Sequence, residues 1–244
     1  MKLITLPHAG GLGNFYRPLK ALESDALSVI NYEYPGHGSR FREELFTDAK
    51  SAVKLVYNEL FKDDDDEEVI LFGHSMGAFL AEELAVELQK NGREDILSGI
   101  IISAALPCSH YKPCGIDLRS RDAVTAYLEE LGGTASAITH NKAFMELYMK
   151  VVTSDLGLFD TYDFRLPDKP FSCFLKVLYA CDDKYIAPIS AMSEWASFSE
   201  NYLGAEVYTG GHFYISEHWE SVINDVGNVI RMAENCKERA YNER

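Results

Sequence analysis

Gly73-His74-Ser75-Met76-Gly77 has the residue types and spacing of a turn that presents a nucleophile. It follows the apolar run Val69-Ile70-Leu71-Phe72 and precedes Phe79, Leu80, Leu84, Ala85 and Leu88, which fall on one face of a helix. A serine on so tight a strand-to-helix turn stands above the sheet, and flanking glycines avoid the neighbouring backbone. The helix N-terminus behind it favours developing negative charge. Gly-x-Ser-x-Gly alone is common by chance; its place between strand and helix separates it from an ordinary turn serine.

A serine hydroxyl needs a base, and the base needs an orienting carboxylate. On this architecture the chain order is Ser, then Asp or Glu, then His. His212, in Gly210-Gly211-His212-Phe213 after the last strand signal, is the candidate base. Among the other histidines, His8 and His37 precede Ser75, and His74 is committed to the turn. His110 and His140 fall in an insertion, and His218 on the last helix. The run Phe174–Ala180 ends at Cys181-Asp182-Asp183, so one of these two carboxylates should orient His212. Many hydrolases of this type carry Gly-x-x-Asp at that strand end. Ala180-Cys181-Asp182-Asp183, with Ile186-Ala187-Pro188 behind it, fits in frame and favours Asp183. Asp182 stays open, since Ala180 replaces the glycine, and Asp155 is an outside candidate. A tetrahedral oxyanion needs backbone donors. The candidates are Met76, after the nucleophile, and Ala9 in the loop Pro7-His8-Ala9-Gly10-Gly11. Gly11-Leu12-Gly13-Asn14-Phe15-Tyr16 lacks the last glycine of a dinucleotide fingerprint. No metal-binding spacing is visible, and the chemistry calls for no cofactor.

The elements that must hold these groups alternate. Strand signals lie at Lys2–Leu6, Leu27–Glu33, Val69–Phe72, Gly99–Ala104, Phe174–Tyr179 and Glu206–Tyr208. Helical spacing joins Ala49, Ala52, Val53, Val56, Tyr57, Leu60 and Phe61, with Thr47 or Asp48 as cap, and recurs over about 217–234. The expectation is an α/β fold, a mostly parallel sheet flanked by helices, in one domain over residues 1–244. Residues 108–170 break the alternation with a helix-rich stretch between two apparent sheet neighbours. They are expected to form a helical lid over Ser75. The six carboxylates Asp63–Glu68 read as a solvated loop.

Composition narrows the partners. Of 244 residues, 47% are apolar, enough for a sizeable core, and 23 basic against 38 acidic side chains leave a net charge of −15. Such a chain has no general attraction for nucleic acid or anionic membranes. No apolar stretch reaches the ~18 residues of a membrane-spanning helix. Five cysteines without a Cys-x-x-Cys, and no signal-peptide pattern at Met1–Pro7, lead to the expectation of reduced thiols in a cytoplasmic protein.

Together these motifs resemble the type II thioesterases, editing enzymes of nonribosomal peptide and polyketide synthases. The resemblance rests on Pro7-His8-Ala9-Gly10-Gly11, Phe15-Tyr16-Arg17-Pro18-Leu19, Tyr34-Pro35-Gly36-His37-Gly38-Ser39-Arg40, Leu71–Gly77 and Ile101–Ala104. It continues through Leu131-Gly132-Gly133, Ser154-Asp155 before Tyr162, Asp182-Asp183 and Gly210–Phe213. It implies an α/β-hydrolase fold with a helical lid. It also implies Ser75 as nucleophile, His212 as base, Asp183 as orienting acid, and Ala9 and Met76 as oxyanion donors. The substrates would be acyl thioesters on the phosphopantetheine arm of acyl or peptidyl carrier proteins, with no cofactor or metal. The enzyme is expected to be a monomer. Given the chain's acidity, a carrier-docking patch would have to be local, around Lys112, Arg119 and Arg121, or largely apolar. The alternatives are a carboxylesterase or lipase acting on free esters, and a catalytically silent hydrolase fold that binds a partner.

Overall fold

The computed structural model describes residues 1–61, 66–132, 142–163 and 165–242. Asp63–Asp65 of the acidic run, Gly133 and His140 lie outside the described residues. Six strands form one sheet: β1 (Lys2–Leu6), β2 (Ser28–Asn31), β3 (Val69–His74), β4 (Leu97–Ser103), β5 (Phe171–Ala180) and β6 (Ser199–Tyr208). Their order is β2-β1-β3-β4-β5-β6, and every pairing is parallel.

Side-chain alternation with period two divides the apolar residues between the two faces. Ile4, Leu6, Val69, Leu71, Ile100 and Ile102 point to one face, where α1 (Ala49–Phe61) and α2 (Met76–Lys90) pack. Leu3, Ile70, Phe72 and Ile101 point to the other. They meet the 3-10 segment Gly13–Leu22 through Tyr16 and Leu19, and the last helix through Val222, Val226 and Ile230. With both faces covered, β3 is buried along its whole length and reads as a continuous apolar run. At α1 the cap is Asp48, whose Oδ1 accepts from the Ser51 N–H at 2.8 Å.

Strand and helix interiors match the sequence reading; the ends differ. β6 begins at Ser199, not Glu206. It is an edge strand with mostly exposed or half-buried residues, so its first half carries no clear alternation. The inward stripe of α2 is also too narrow a description. Glu82 and Glu83 are buried as well, because the segments following β4 and preceding β5 cover the side a surface helix would expose.

Residues 108–170 leave the sheet between its neighbours β4 and β5. They contribute α3 (Arg121–Leu131) and α4 (Lys142–Asp160), ahead of the last helix α5 (Trp219–Asn242). Ser120 caps α3 by accepting from the Ala123 N–H, and Gly132 ends it at φ 80°. Val124 and Leu128 of α3 pack on Val152 and Leu156 of α4, and Ala9 joins them from the loop after β1. This small apolar cluster holds the insertion's helices beside the C-terminal ends of the strands. There β1 and β3 lie adjacent while their connections run to opposite sides, the usual place for a binding crevice in an open α/β sheet.

Candidate active site

Ser75 sits between β3 and α2 with φ 55° and ψ −117°, a conformation that a residue with a Cβ adopts only under constraint. Its N–H donates to the Ser103 carbonyl at 2.8 Å, and its carbonyl accepts from Ala78. A Cβ on Gly73 would overlap the Gly77 carbonyl, and one on Gly77 would overlap the Leu6 carbonyl. The strand–turn–helix packs so closely that both positions exclude side chains.

Two distant segments converge on this turn. His212 Nε2 lies 2.9 Å from Ser75 Oγ, and His212 Nδ1 lies 2.7 Å from Asp183 Oδ2. An ionised carboxylate only accepts, so Nδ1 carries the proton, Nε2 is the acceptor, and the serine hydroxyl donates to it. The other Asp183 oxygen accepts from the Tyr185 N–H at 2.9 Å, so the carboxylate cannot swing away without losing a second bond. Asp183 and His212 are both buried.

Asp182 is exposed and faces elsewhere. Its N–H donates to the Gly210 carbonyl at 3.2 Å, and its carboxylate accepts from the Gly210 N–H at 3.4 Å. It ties the end of β5 to the loop that carries His212. Asp155 is fully buried but lies on a different set of partners, His37 and the Gly10 amide.

The other described histidines are accounted for. His8 donates its backbone N–H to the Tyr16 hydroxyl and faces that hydroxyl with Nδ1 at 3.0 Å. His74 Nδ1 lies 2.8 Å from Ser103 Oγ, which in turn meets the Tyr214 hydroxyl at 2.7 Å. Burial, reinforced by the nearby His212, lowers His8 to about 3 and His74 well below the ordinary histidine value. Both rings are therefore neutral, and a proton arriving on His212 meets no fixed positive charge beside it. His110 pairs with Glu194 at 2.7 Å, and His218 faces Thr209.

Met76 is the first residue of α2, so its N–H has no acceptor within the helix. In the loop after β1, the amides on either side of Ala9 are engaged: His8 with Tyr16, and Gly10 with Asp155 Oδ2 at 2.7 Å. Gly10, at φ 69°, lies against the Tyr148 ring and Val152, so a Cβ there would be strained by the backbone and would crowd both side chains at 3.1–3.2 Å.

Ser75 and His212 open into a cavity of about 300 Å³ walled by Leu106, Tyr111, Tyr127, Tyr185, Ile186 and Pro188, with Lys112 and Lys184 also lining it. A chamber of about 40 Å³ lies on the Ala9 side, bounded by Leu128, Tyr148, Leu156 and Phe213. Of the three cations expected around a docking patch, only Lys112 lines the cavity. Arg119 is held by Asp117 at 3.3 Å on the exposed surface, and Arg121 begins α3. Lys184 was missed in the sequence because it reads there as one more turn residue beside the acid candidates. A larger open cleft of about 530 Å³, at the opposite ends of β4 and β5, is lined by no histidine. Among the described residues no helix is long and apolar enough to cross a membrane.

A parallel sheet with helices on both faces and a strand–Gly-x-Ser-x-Gly–helix turn above its centre defines the α/β-hydrolase class. Residues 1–230 match the family model described as Thioesterase domain, and the chain belongs to that family. It is 27% identical to a protein of Streptomyces griseus named "Probable cadicidin biosynthesis thioesterase", over 94% of this chain and 62% of that protein's length. It is 29% identical to the human "S-acyl fatty acid synthase thioesterase, medium chain", over 88% of this chain and 80% of that one. Among solved structures, the type II thioesterase BorB from the borrelidin biosynthetic cluster superposes with a TM-score of 0.80 at 29% identity. That match covers 93% of this chain and 91% of BorB.

Proposed function

We propose that this protein is a type II thioesterase that hydrolyses acyl thioesters from the phosphopantetheine arm of carrier proteins, editing a nonribosomal peptide or polyketide synthase. The observation that carries the reading is the hydrogen-bonded series Ser75–His212–Asp183, 2.9 Å and 2.7 Å, at the floor of a cavity. Family membership and likeness to a type II thioesterase support the choice of a thioester over other acyl substrates.

In this reading His212 takes the Ser75 proton as Oγ attacks the thioester carbonyl, and Asp183 stabilises the imidazolium that forms. The Met76 and Ala9 amides receive the oxyanion, and backbone donors held by the fold need little reorganisation as charge develops. The tetrahedral intermediate collapses with loss of the pantetheine thiol, protonated by His212. Water, deprotonated by the same ring, then releases the acid and restores Ser75. Neither step needs a metal or redox group.

The insertion 108–170 serves as the lid in a single domain. Tyr127 and Leu128 of α3, with Tyr148 and Leu156 of α4, bound the space around Ser75 and exclude bulk water from the acyl-enzyme. The deciding experiment compares hydrolysis of acyl groups on a phosphopantetheinylated carrier protein with hydrolysis of aryl esters. A preference for the carrier-bound thioester supports the proposal. Preference for free esters identifies a carboxylesterase, and failure to react with a serine-directed fluorophosphonate identifies a silent fold.

A further inference from the structure

The cavity above Ser75 differs electrically from the rest of the molecule. The chain carries 38 acidic against 23 basic residues. Two larger clefts carry carboxylates: one is lined by Glu68, Glu94 and Asp95 beside Lys237, the other by Glu206 and Asp225. A smaller one is lined by Glu83 and Asp163 with Lys50 and Arg165. The lining of the Ser75 cavity contains no carboxylate and two lysines, Lys112 and Lys184.

The two lysines come from different elements. Lys112 belongs to the segment after β4, is exposed, and forms no ion pair among the described residues. Lys184 directly follows Asp183 in the turn after β5. Its ammonium lies 3.1 Å from Glu130 of α3, and its side chain is 73% exposed. So exposed a pair is weak, and Glu130 can give way to another anion at little cost. Between the lysines and Ser75 the walls are mostly apolar: Leu106, Tyr111, Ile186 and Pro188.

Resting on the thioesterase reading above, we propose that Lys112 and Lys184 bind the phosphate at the outer end of the pantetheine arm while its thioester lies at Ser75. A phosphodiester is strongly hydrated and would lose that water among the apolar walls, so it stops at the rim. Lysine suits that place, because a flexible ammonium meets a phosphate as a point charge and keeps its own hydration. The net charge of −15 repels an anion at long range. Attraction must therefore come from local cations and is screened by salt. Because Lys184 adjoins Asp183, the phosphate contact and the proton-handling groups are held by one turn. The chemistry recognised is a pantetheine phosphate, which a carrier-bound arm and coenzyme A share.

Calorimetric titration of the wild-type protein with 4′-phosphopantetheine and with pantetheine isolates the phosphate. The phosphorylated compound should bind roughly tenfold more tightly at low salt. That preference should disappear in Lys112→Ala/Lys184→Ala and persist in Lys50→Ala/Lys237→Ala, a change of equal charge on α1 and α5. Equal affinity for the two compounds, or no binding of either, overturns the inference whether or not the protein hydrolyses thioesters. Turnover of an acyl N-acetylcysteamine thioester, which has no phosphate, tests the thioesterase reading separately. In kinetics the lysine replacements should raise KM for acyl-coenzyme A and for the acylated carrier more than for the N-acetylcysteamine thioester. A rise confined to the carrier places the lysines against its protein surface and also overturns the assignment.

Discussion

Asp155 and His37 are 118 residues apart in the chain and form a fully buried ion pair, Oδ2 to Nε2 at 2.8 Å. His37 Nδ1 faces the Pro35 carbonyl at 2.9 Å, so both ring nitrogens meet acceptors and the ring donates twice, as an imidazolium. Burial opposes that charge. The Asp155 hydrogen bond and charge, with the Pro35 carbonyl, outweigh it and raise the His37 pKa. The same Asp155 oxygen accepts the Gly10 N–H, and the Ser154 hydroxyl donates to the Phe46 carbonyl at 2.7 Å. At this point the insertion helix α4 is bonded to the core beside Ala9.

Removing one member of a buried pair leaves the other charged and unpaired. Asp155→Ala should therefore destabilise the fold by about 3–5 kcal/mol, and Asp155→Asn by less, since an amide can still accept from His37. Urea unfolding at pH 6 measures it. A loss below about 1 kcal/mol would mean that the pair contributes no more than an exposed one.

Stability should fall on both sides of neutrality. His37 has a raised folded pKa, so its contribution is complete below the unfolded value of 6.5 and is lost as pH rises through the raised value. His8, near 3, and His74, well below 6.5, have lowered folded values. Their contribution is complete above 6.5 and falls away from there toward pH 3, by up to ~1.4 kcal/mol per pH unit for each ring. Urea midpoints between pH 4 and 9 test both limbs, and His37→Gln should flatten the alkaline one.

Ser75→Ala should lose several orders of magnitude in turnover while keeping the fold. Ser75→Gly should lose as much, yet raise stability by roughly 1 kcal/mol, because glycine tolerates φ 55° without the Cβ penalty. Retention of more than a few per cent of activity by either variant would sink the nucleophile assignment.

Asp183→Asn should lower kcat by about 10⁴, the loss expected when the base is held in the wrong tautomer. Asp182→Asn should cost little, because it loosens a loop contact at 3.4 Å without touching His212. Reversed outcomes would make Asp182 the functional acid.

Selectivity among acyl groups should respond to Tyr127 and Tyr148, which line the space beside Ser75. Tyr148→Ala should shift preference toward bulkier acyl chains with little effect on an acetyl thioester. Leu147→Asp should shift nothing, since Leu147 is 48% exposed on the outer side of α4. Chain-length profiles from acetyl to octanoyl decide the matter. Equal losses at every length would make α4 a structural wall only.

Local patterns made the frame legible. Short apolar runs in Lys2–Leu6 and Val69–Phe72, helical spacing in Ala49–Phe61, and the glycines around Ser75 each follow from contacts within a few residues. Chain order and strand-end position then pointed to His212 and favoured Asp183 over Asp182, with Asp155 as an outside candidate. Tertiary packing decided the rest, because each remaining question turned on groups far apart in sequence. Asp183 and Asp182 are chemically equivalent neighbours. Only the turn after β5 aims one at His212 and the other at Gly210. The first half of β6 is a strand because β5 supplies its hydrogen bonds, not because its residues alternate. Glu82 and Glu83 read as surface charges until the chain beyond α2 covers them. The bond between Asp155 and His37 has no local signature, since the two groups meet, and their attraction offsets the cost of desolvating them, only after the insertion has docked.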